Sequence, residues 1–164
     1  MSEPSFIIKP ILLRMQEYFT KDIGIDLQPN EAEIVRTSHI ELLSYSVLIN
    51  LSGGVNGGFI FTVEKSLGER LLELFSEVEI SPEDRDEFVG EALAESLNII
   101  IGNSYHLIPC GGEKIKFSPP LGLGGSSSIE NYKQAHTTKG EFSSKYGRTI
   151  LIYIDYSETL DEEK

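Results

Sequence analysis

Apolar residues Phe6, Ile7, Ile8, Ile11, Leu12, Met15, Tyr18 and Phe19 recur at steps of three and four, which predicts an amphipathic helix over about residues 5–22. Ser2 to Ser5 offer a cap, and Gly24 follows the end. After the turn signal Gln28-Pro29-Asn30 the pattern changes to β-rich runs, Ile34–Ile40 and then Ser44–Leu51. Gly58–Val63 comes next, just past the Asn56-Gly57 pair, a strong short hairpin signal, so the last two runs are expected to pair antiparallel. Helical spacing returns over Leu67–Glu77, with Leu71, Leu72 and Phe75 on one face. Ser81-Pro82-Glu83-Asp84 then reads as the start of a long helix reaching about His106, with Ser as N-cap, Pro at the first helical position and acids in the first turn. A short strand, Lys114–Phe117, and a Gly/Ser-rich loop, Pro119–Ser128, follow. Runs over about Tyr132–Phe142 and Thr149–Tyr156 straddle Tyr146-Gly147 and read as a hairpin.

Helices mixed with hairpins, without regular strand-helix-strand alternation, predict an α+β fold: a mostly antiparallel sheet covered by helices. The open edge of that sheet is a candidate for pairing between subunits. The length of 164 residues suits one domain over residues 1–164, with a short acidic tail from about residue 158.

Charge narrows the partners. With Lys+Arg 14 against Asp+Glu 26 the net charge is −12, which disfavours a phosphate backbone and so argues against nucleic acid. No apolar run approaches the roughly 20 residues that a membrane-spanning helix needs, so no membrane association is expected. Cys110 is the one cysteine, which excludes an intrachain disulfide, and Met1–Lys9 lacks a secretory pattern; a cytoplasmic location is the expectation.

On the long helix, Leu93, Ala94, Leu97, Ile100, Ile101, Ser104 and Ile108 cover one broad face that should lie on the sheet. Glu91, Glu95, Asn98 and Gly102 form a narrow stripe on the opposite side, at spacings of four, three and four. Phe88, Ile99 and His106 flank it, giving apolar surface where a purely solvated face would more often carry Lys or Gln. Periodicity alone leaves this ridge as a solvated helix face or as a surface that meets another protein.

The wider string Glu95-Ser-Leu-Asn98-Ile-Ile-Ile-Gly102-Asn103 resembles the E-x-x-N-x-x-x-G-N signature of the CheC/CheX chemotaxis phosphatases. The upstream strand Gly57-Gly58-Phe59-Ile60-Phe61, then a short helix, then the motif helix, is similar to the order of elements in that family, so the resemblance spans most of the chain. It implies dephosphorylation of a CheY-type response regulator, whose phosphate is a labile acyl phosphate on an aspartate. Glu95 and Asn98 match the family's catalytic Glu and Asn. An amide at Asn98 has both an acceptor and donors with which to orient water. A carboxylate at Glu95, one helical turn away, suits pairing with a Lys of the regulator. Partner contacts are expected at Glu91, Gly102, Phe88 and Ile99. Gly102, without a side chain, would permit close approach of a partner backbone or serve helix packing. Asn103, off the ridge, would cap or brace the helix.

The resemblance assigns no cofactor to this chain and places Mg2+ in the partner regulator. Relatives with two sites carry a second E-x-x-N in the first helix; here the match is Glu17-Tyr-Phe-Thr20, which lacks the amide and predicts one site per chain, as in the CheX branch. That branch implies a homodimer formed through the sheet. The rival readings are a non-catalytic response-regulator-binding module of a signalling complex, and a structural subunit that works by sheet-edge association.

Other constellations carry less chemistry. His39, His106 and His136 fall on separate elements without zinc-like spacing, so no metal site is expected. Gly53–Gly58 lacks the Lys-Ser/Thr sequel of a phosphate cradle and reads as a hairpin turn, and the Gly122–Ser128 loop lacks a nucleotide-site context. Cys110, with no His beside it in sequence, reads as an incidental thiol.

Overall fold

A computed structural model of the chain describes residues 4–30, 35–37, 39–123, 127–129 and 137–156. The expected first helix is α1 (Pro4–Glu17), closed by a π-helical turn over Tyr18–Asp22. Its proposed cap falls partly outside the described residues, which begin at Pro4. Strands β1 (Gln28–Pro29), β2 (Val35–Thr37), β3 (Ile40–Leu42), β4 (Tyr45–Gly53) and β5 (Gly57–Val63) follow. Then come helices α2 (Lys65–Phe75) and α3 (Arg85–Gly102), and a 3-10 turn over Tyr105–Leu107. Strands β6 (Ile115–Phe117), β7 (Leu121–Leu123), β8 (Ser127–Ile129), β9 (Thr137–Ser144) and β10 (Gly147–Asp155) complete the order.

The main sheet runs β1-β9-β10-β5-β4-β6, with β2 also on β9 and β7 also on β4, and every pairing is antiparallel. The α+β architecture with helices over an antiparallel sheet is thus as expected. Strand alternation gives the sheet two apolar faces. Phe59, Phe61 and Val63 of β5, with Leu151 and Tyr153 of β10, join the core beneath the helices. Ile60, Ile150, Ile152 and Ile154 point the other way, into a second cluster with Ile40 and Leu42 of β3. β3 pairs with β8 in a separate two-stranded ribbon. That second layer explains why β5 and β10 read as continuous apolar runs rather than alternating ones.

Five expectations are corrected. The single run 34–40 divides between β2, on the main sheet, and β3, in the ribbon, while Ile34 and Ser38 lie outside the described residues. The Pro119–Ser128 loop contains β7 and the start of β8; a Leu-Gly-Leu strand has no alternation to betray it, and only its pairing with Ser46–Leu48 defines it. The β4–β5 turn does not use Asn56-Gly57 as its centre. Gly53 takes the left-handed conformation (φ +88°), where a Cβ would strike the Lys114 carbonyl, whereas Gly57 is inside β5, with the Tyr153 hydroxyl and Ile154 carbonyl 2.5 Å from where a Cβ would be.

The fourth correction concerns the start of α3. The Ser81 hydroxyl donates to the Asp84 carboxylate at 3.0 Å, and the Asp84 N–H donates to the Ser81 carbonyl at 3.1 Å. Ser81–Asp84 is therefore a turn, and the helix begins after it, at Arg85. At the other end the α-helix stops at Gly102, so His106 is on the 3-10 turn rather than on α3. The predicted C-terminal hairpin is β9–β10, joined through Lys145-Tyr146; the stretch 130–136 and the expected tail from residue 158 lie outside the described residues.

Candidate functional site: the outer ridge of α3

α3 is clamped from below. Val89, Leu93, Leu97, Ile100 and Ile101 are buried in the main core, and the helix crosses β4, α2 and α1. Ala92 and Ser96 are buried as well, whereas Ala94, expected on the sheet-facing side, is half-exposed. The π-helical turn after α1 packs on this side of the helix. Its Tyr18 reaches under α3, with its hydroxyl 3.3 Å from that of the fully buried Ser96. Burial raises the Tyr18 pKa, and the nearby carboxylates of Asp22 and Glu95 push it further in the same direction against the bond to Ser96. The first turn of α3 is tied to β4 by the Tyr45 hydroxyl, which donates to Asp86 at 2.8 Å. Burial and that carboxylate raise the Tyr45 pKa to about 12.

The C-terminal end is braced too. Asn103 Nδ2 donates to the Ile99 carbonyl at 2.9 Å, and Ser104 Oγ to the Ile100 carbonyl at 2.6 Å. Asn103 thus does act as a brace, its side-chain amide adding a second donor to the Ile99 carbonyl, which already accepts the Asn103 backbone N–H at 3.1 Å.

On this fixed helix Glu91, Glu95, Asn98 and Gly102 are all exposed, along one stripe. Among the described residues, Glu95 and Asn98 have no hydrogen-bond or ion-pair partner. The alternative pair in the first helix differs: Glu17 is 3.3 Å from Arg14, and the Thr20 hydroxyl donates to the Gln16 carbonyl at 2.7 Å. A Cβ built at Gly102 would meet no atom within 4 Å, and its φ is not left-handed, so packing inside this chain does not require glycine there.

Of the flanking residues, Phe88 is 38% exposed, while Ile99 is half-buried against the core. Phe88, Glu91 and Glu95 share one wall of a groove of about 340 Å³ whose other wall comes from the end of α2 and the segment after it. Phe75, expected to pack with Leu71 and Leu72, turns out toward this groove instead and is 39% exposed. Sequence reasoning missed Val78 and Ile80, which line it as well. The available signal was an apolar triplet, Phe75, Val78 and Ile80, within an otherwise acidic connection.

His39 and His106 are exposed and His136 lies outside the described residues, while Cys110 is half-buried against Gly54. Among the described residues no three His, Cys, Asp or Glu side chains converge as metal ligands, and no helix is long and apolar enough to cross a membrane.

The family model described as "Chemotaxis phosphatase CheX" matches residues 45–143, from the start of β4 through α3 into β9. The chain belongs to the CheX family. Its fold is also that of solved CheX-like structures. A chemotaxis protein CheX from Desulfovibrio desulfuricans superposes with a TM-score of 0.74 at 16% identity, over 91% of this chain and 99% of that one. A CheC-like superfamily protein from Shewanella sp. PV-4 gives 0.70 at 21% identity, over 94% and 98%. The CheX of a Borrelia burgdorferi CheX-CheY-BeF3-Mg2+ complex gives 0.62 at 22% identity, over 91% and 96%. Among curated proteins, none matches the sequence. The CheX match contains the whole ridge from Phe88 to Gly102.

Proposed function

We propose that this CheX-family chain is a phosphatase that hydrolyses the phospho-aspartate of a CheY-type response regulator and so ends a chemotaxis or related two-component signal. The observation that carries this reading is the pair Glu95 and Asn98, exposed and unpartnered among the described residues, one turn apart on a helix held rigid from beneath. Because the helix is already fixed, engaging a partner orders these two side chains without also ordering the backbone that carries them, which favours accurate positioning.

An acyl phosphate has a good leaving group, so the catalyst's task is to place water in line and to stabilise the charge that moves. In this reading the Asn98 amide accepts a hydrogen bond from the attacking water and donates toward a phosphoryl oxygen. Water oxygen bonds to phosphorus, the bond from phosphorus to the aspartate oxygen breaks, and the products are the free carboxylate, inorganic phosphate and a released proton. Glu95 pairs with a Lys of the regulator, fixing the docked geometry. Mg2+ stays with the regulator's own acidic pocket. Support comes from the family match and from the fold shared with the CheX of the CheX-CheY complex.

Two variants separate docking from chemistry. Glu95→Lys should weaken binding of a beryllofluoride-loaded regulator about ten- to hundredfold, the size of a lost charge-assisted bond. Asn98→Ala should leave that affinity nearly unchanged while reducing turnover at least about hundredfold. Binding without hydrolysis in the wild-type protein would instead favour the docking-module reading. The expected homodimer is a separate question, answered by sedimentation.

A further inference from the structure

Beside Glu95 the surface changes character. The groove between α3 and the end of α2 is walled by Leu72, Phe75, Val78, Ile80 and Phe88, with Val78 74% exposed, and Glu91 and Glu95 form its lip on the ridge side. Phe75, Val78 and Phe88, exposed beside two carboxylates, offer apolar surface that a partner's side chain can cover. The segment that builds the groove carries much of the chain's charge, with Glu91 and Glu95 lining the groove and Glu77 and Glu79 an adjoining cavity. From Lys65 to Glu95 there are ten acidic and three basic side chains, a net −7 out of the total −12. Arg85 and Arg70 are spent on Glu69 and Glu73, so Glu77, Glu79, Glu91 and Glu95 have no ion-pair partner among the described residues.

We infer that this groove is a specificity pocket for the regulator itself: it receives an apolar side chain that the regulator presents beside Lys or Arg residues, next to its phosphorylation site. The inference rests on the phosphatase reading above and adds to it a second contact that selects which regulator is served. Two features set the occupant. Glu91 and Glu95 belong both to the ridge and to the groove, so a body seated on the ridge necessarily overhangs the groove. The charge of this segment disfavours the alternatives closest to hand: a second copy of this chain would bring the same −7, and the sequence after residue 157 adds Glu158, Asp161, Glu162 and Glu163 against Lys164 alone. An apolar knob on a basic segment is complementary to both features of the site.

The test uses a CheY-type receiver phosphorylated with acetyl phosphate, assayed over a range of concentrations with the full chain. Val78→Asp, at an exposed position outside the core, and Phe75→Ala should each raise KM about tenfold with kcat unchanged. Glu77→Lys combined with Glu79→Lys should lower kcat/KM and flatten its dependence on salt. A wild-type KM in both groove variants, with wild-type hydrolysis intact, overturns the pocket and leaves the phosphatase reading standing. Should the wild-type protein fail to hydrolyse the receiver, the phosphatase reading falls, and the pocket is judged by affinity for the beryllofluoride-loaded receiver. A tenfold loss in Val78→Asp then supports it, and no loss overturns it. Dissociation of a dimer by Val78→Asp, with KM unchanged, would assign the groove to a second copy and also overturn the inference.

Discussion

Tyr18 and Ser96, 78 residues apart in sequence, meet through their hydroxyls at 3.3 Å inside the core, and Ser96 directly follows the exposed Glu95. The contact couples the turn that ends the first helix to the helix that bears the ridge. It also gives the fully buried Ser96 hydroxyl a partner inside the core. Tyr18→Phe should lower stability by about 1 kcal/mol, the net value of a typical buried hydrogen bond, seen as a lower urea midpoint with an unchanged slope. Affinity for the regulator well below the melting transition should be unaltered. An unchanged midpoint would mean that this contact contributes nothing to holding the helix.

Gly102 allows two effects to be set against each other. Because a Cβ there meets nothing and the backbone is helical, Gly102→Ala should keep or raise stability, by up to about 1 kcal/mol. If a partner backbone closes on this position, the same substitution should weaken regulator binding several-fold. A more stable variant with wild-type affinity would remove Gly102 from the interface.

Much of this was legible because it is periodic. The 4-3-4 spacing of Glu91, Glu95, Asn98 and Gly102 places them on one stripe of any α-helix, and the apolar residues opposite could only go inward. What failed was set by individual contacts that periodicity does not encode. Ser81 and Pro82 carry every local sign of a helix start, yet Ser81 spends its hydroxyl on the Asp84 carboxylate and makes a turn. Gly57 looked like a turn glycine, but its requirement comes from Tyr153, a neighbour 96 positions along the chain. The groove was hidden for the same reason. Phe75 fits the wheel of α2, but the helix ends with it, and only the fold brings Val78 and Ile80 opposite Phe88.

The pH dependence of stability follows from Tyr45. Its pKa is raised from 10.0 to about 12 in the folded protein, so the unfolded chain loses this proton first as pH rises. The contribution is complete below pH 10 and is lost as pH climbs toward 12. Unfolding midpoints measured from pH 9 to 12 should fall, and Tyr45→Phe should flatten part of that decline. Parallel curves for the two proteins would refute the assignment to Tyr45.

Gly57 lies where the sheet has no room. With the Ile154 carbonyl and the Tyr153 hydroxyl each 2.5 Å from where a Cβ would be, Gly57→Ala must displace backbone as well as side chain. A loss of about 1–3 kcal/mol is expected, read from denaturant unfolding. Since the ridge is on a different element, hydrolysis measured at low temperature should survive. Wild-type stability would show that β5 and β10 can separate at that point without cost.

The central claim is that Asn98 performs hydrolysis rather than mere docking, and the decay of a phosphorylated CheY-type receiver tests it most directly. Receiver from the same organism is phosphorylated, excess phosphodonor is removed, and phosphate loss is followed alone, with catalytic amounts of the wild-type protein, and with Asn98→Ala. The account predicts multiple turnovers with the wild-type protein and decay at the receiver's own rate with the variant. Equal acceleration by wild type and Asn98→Ala would contradict it.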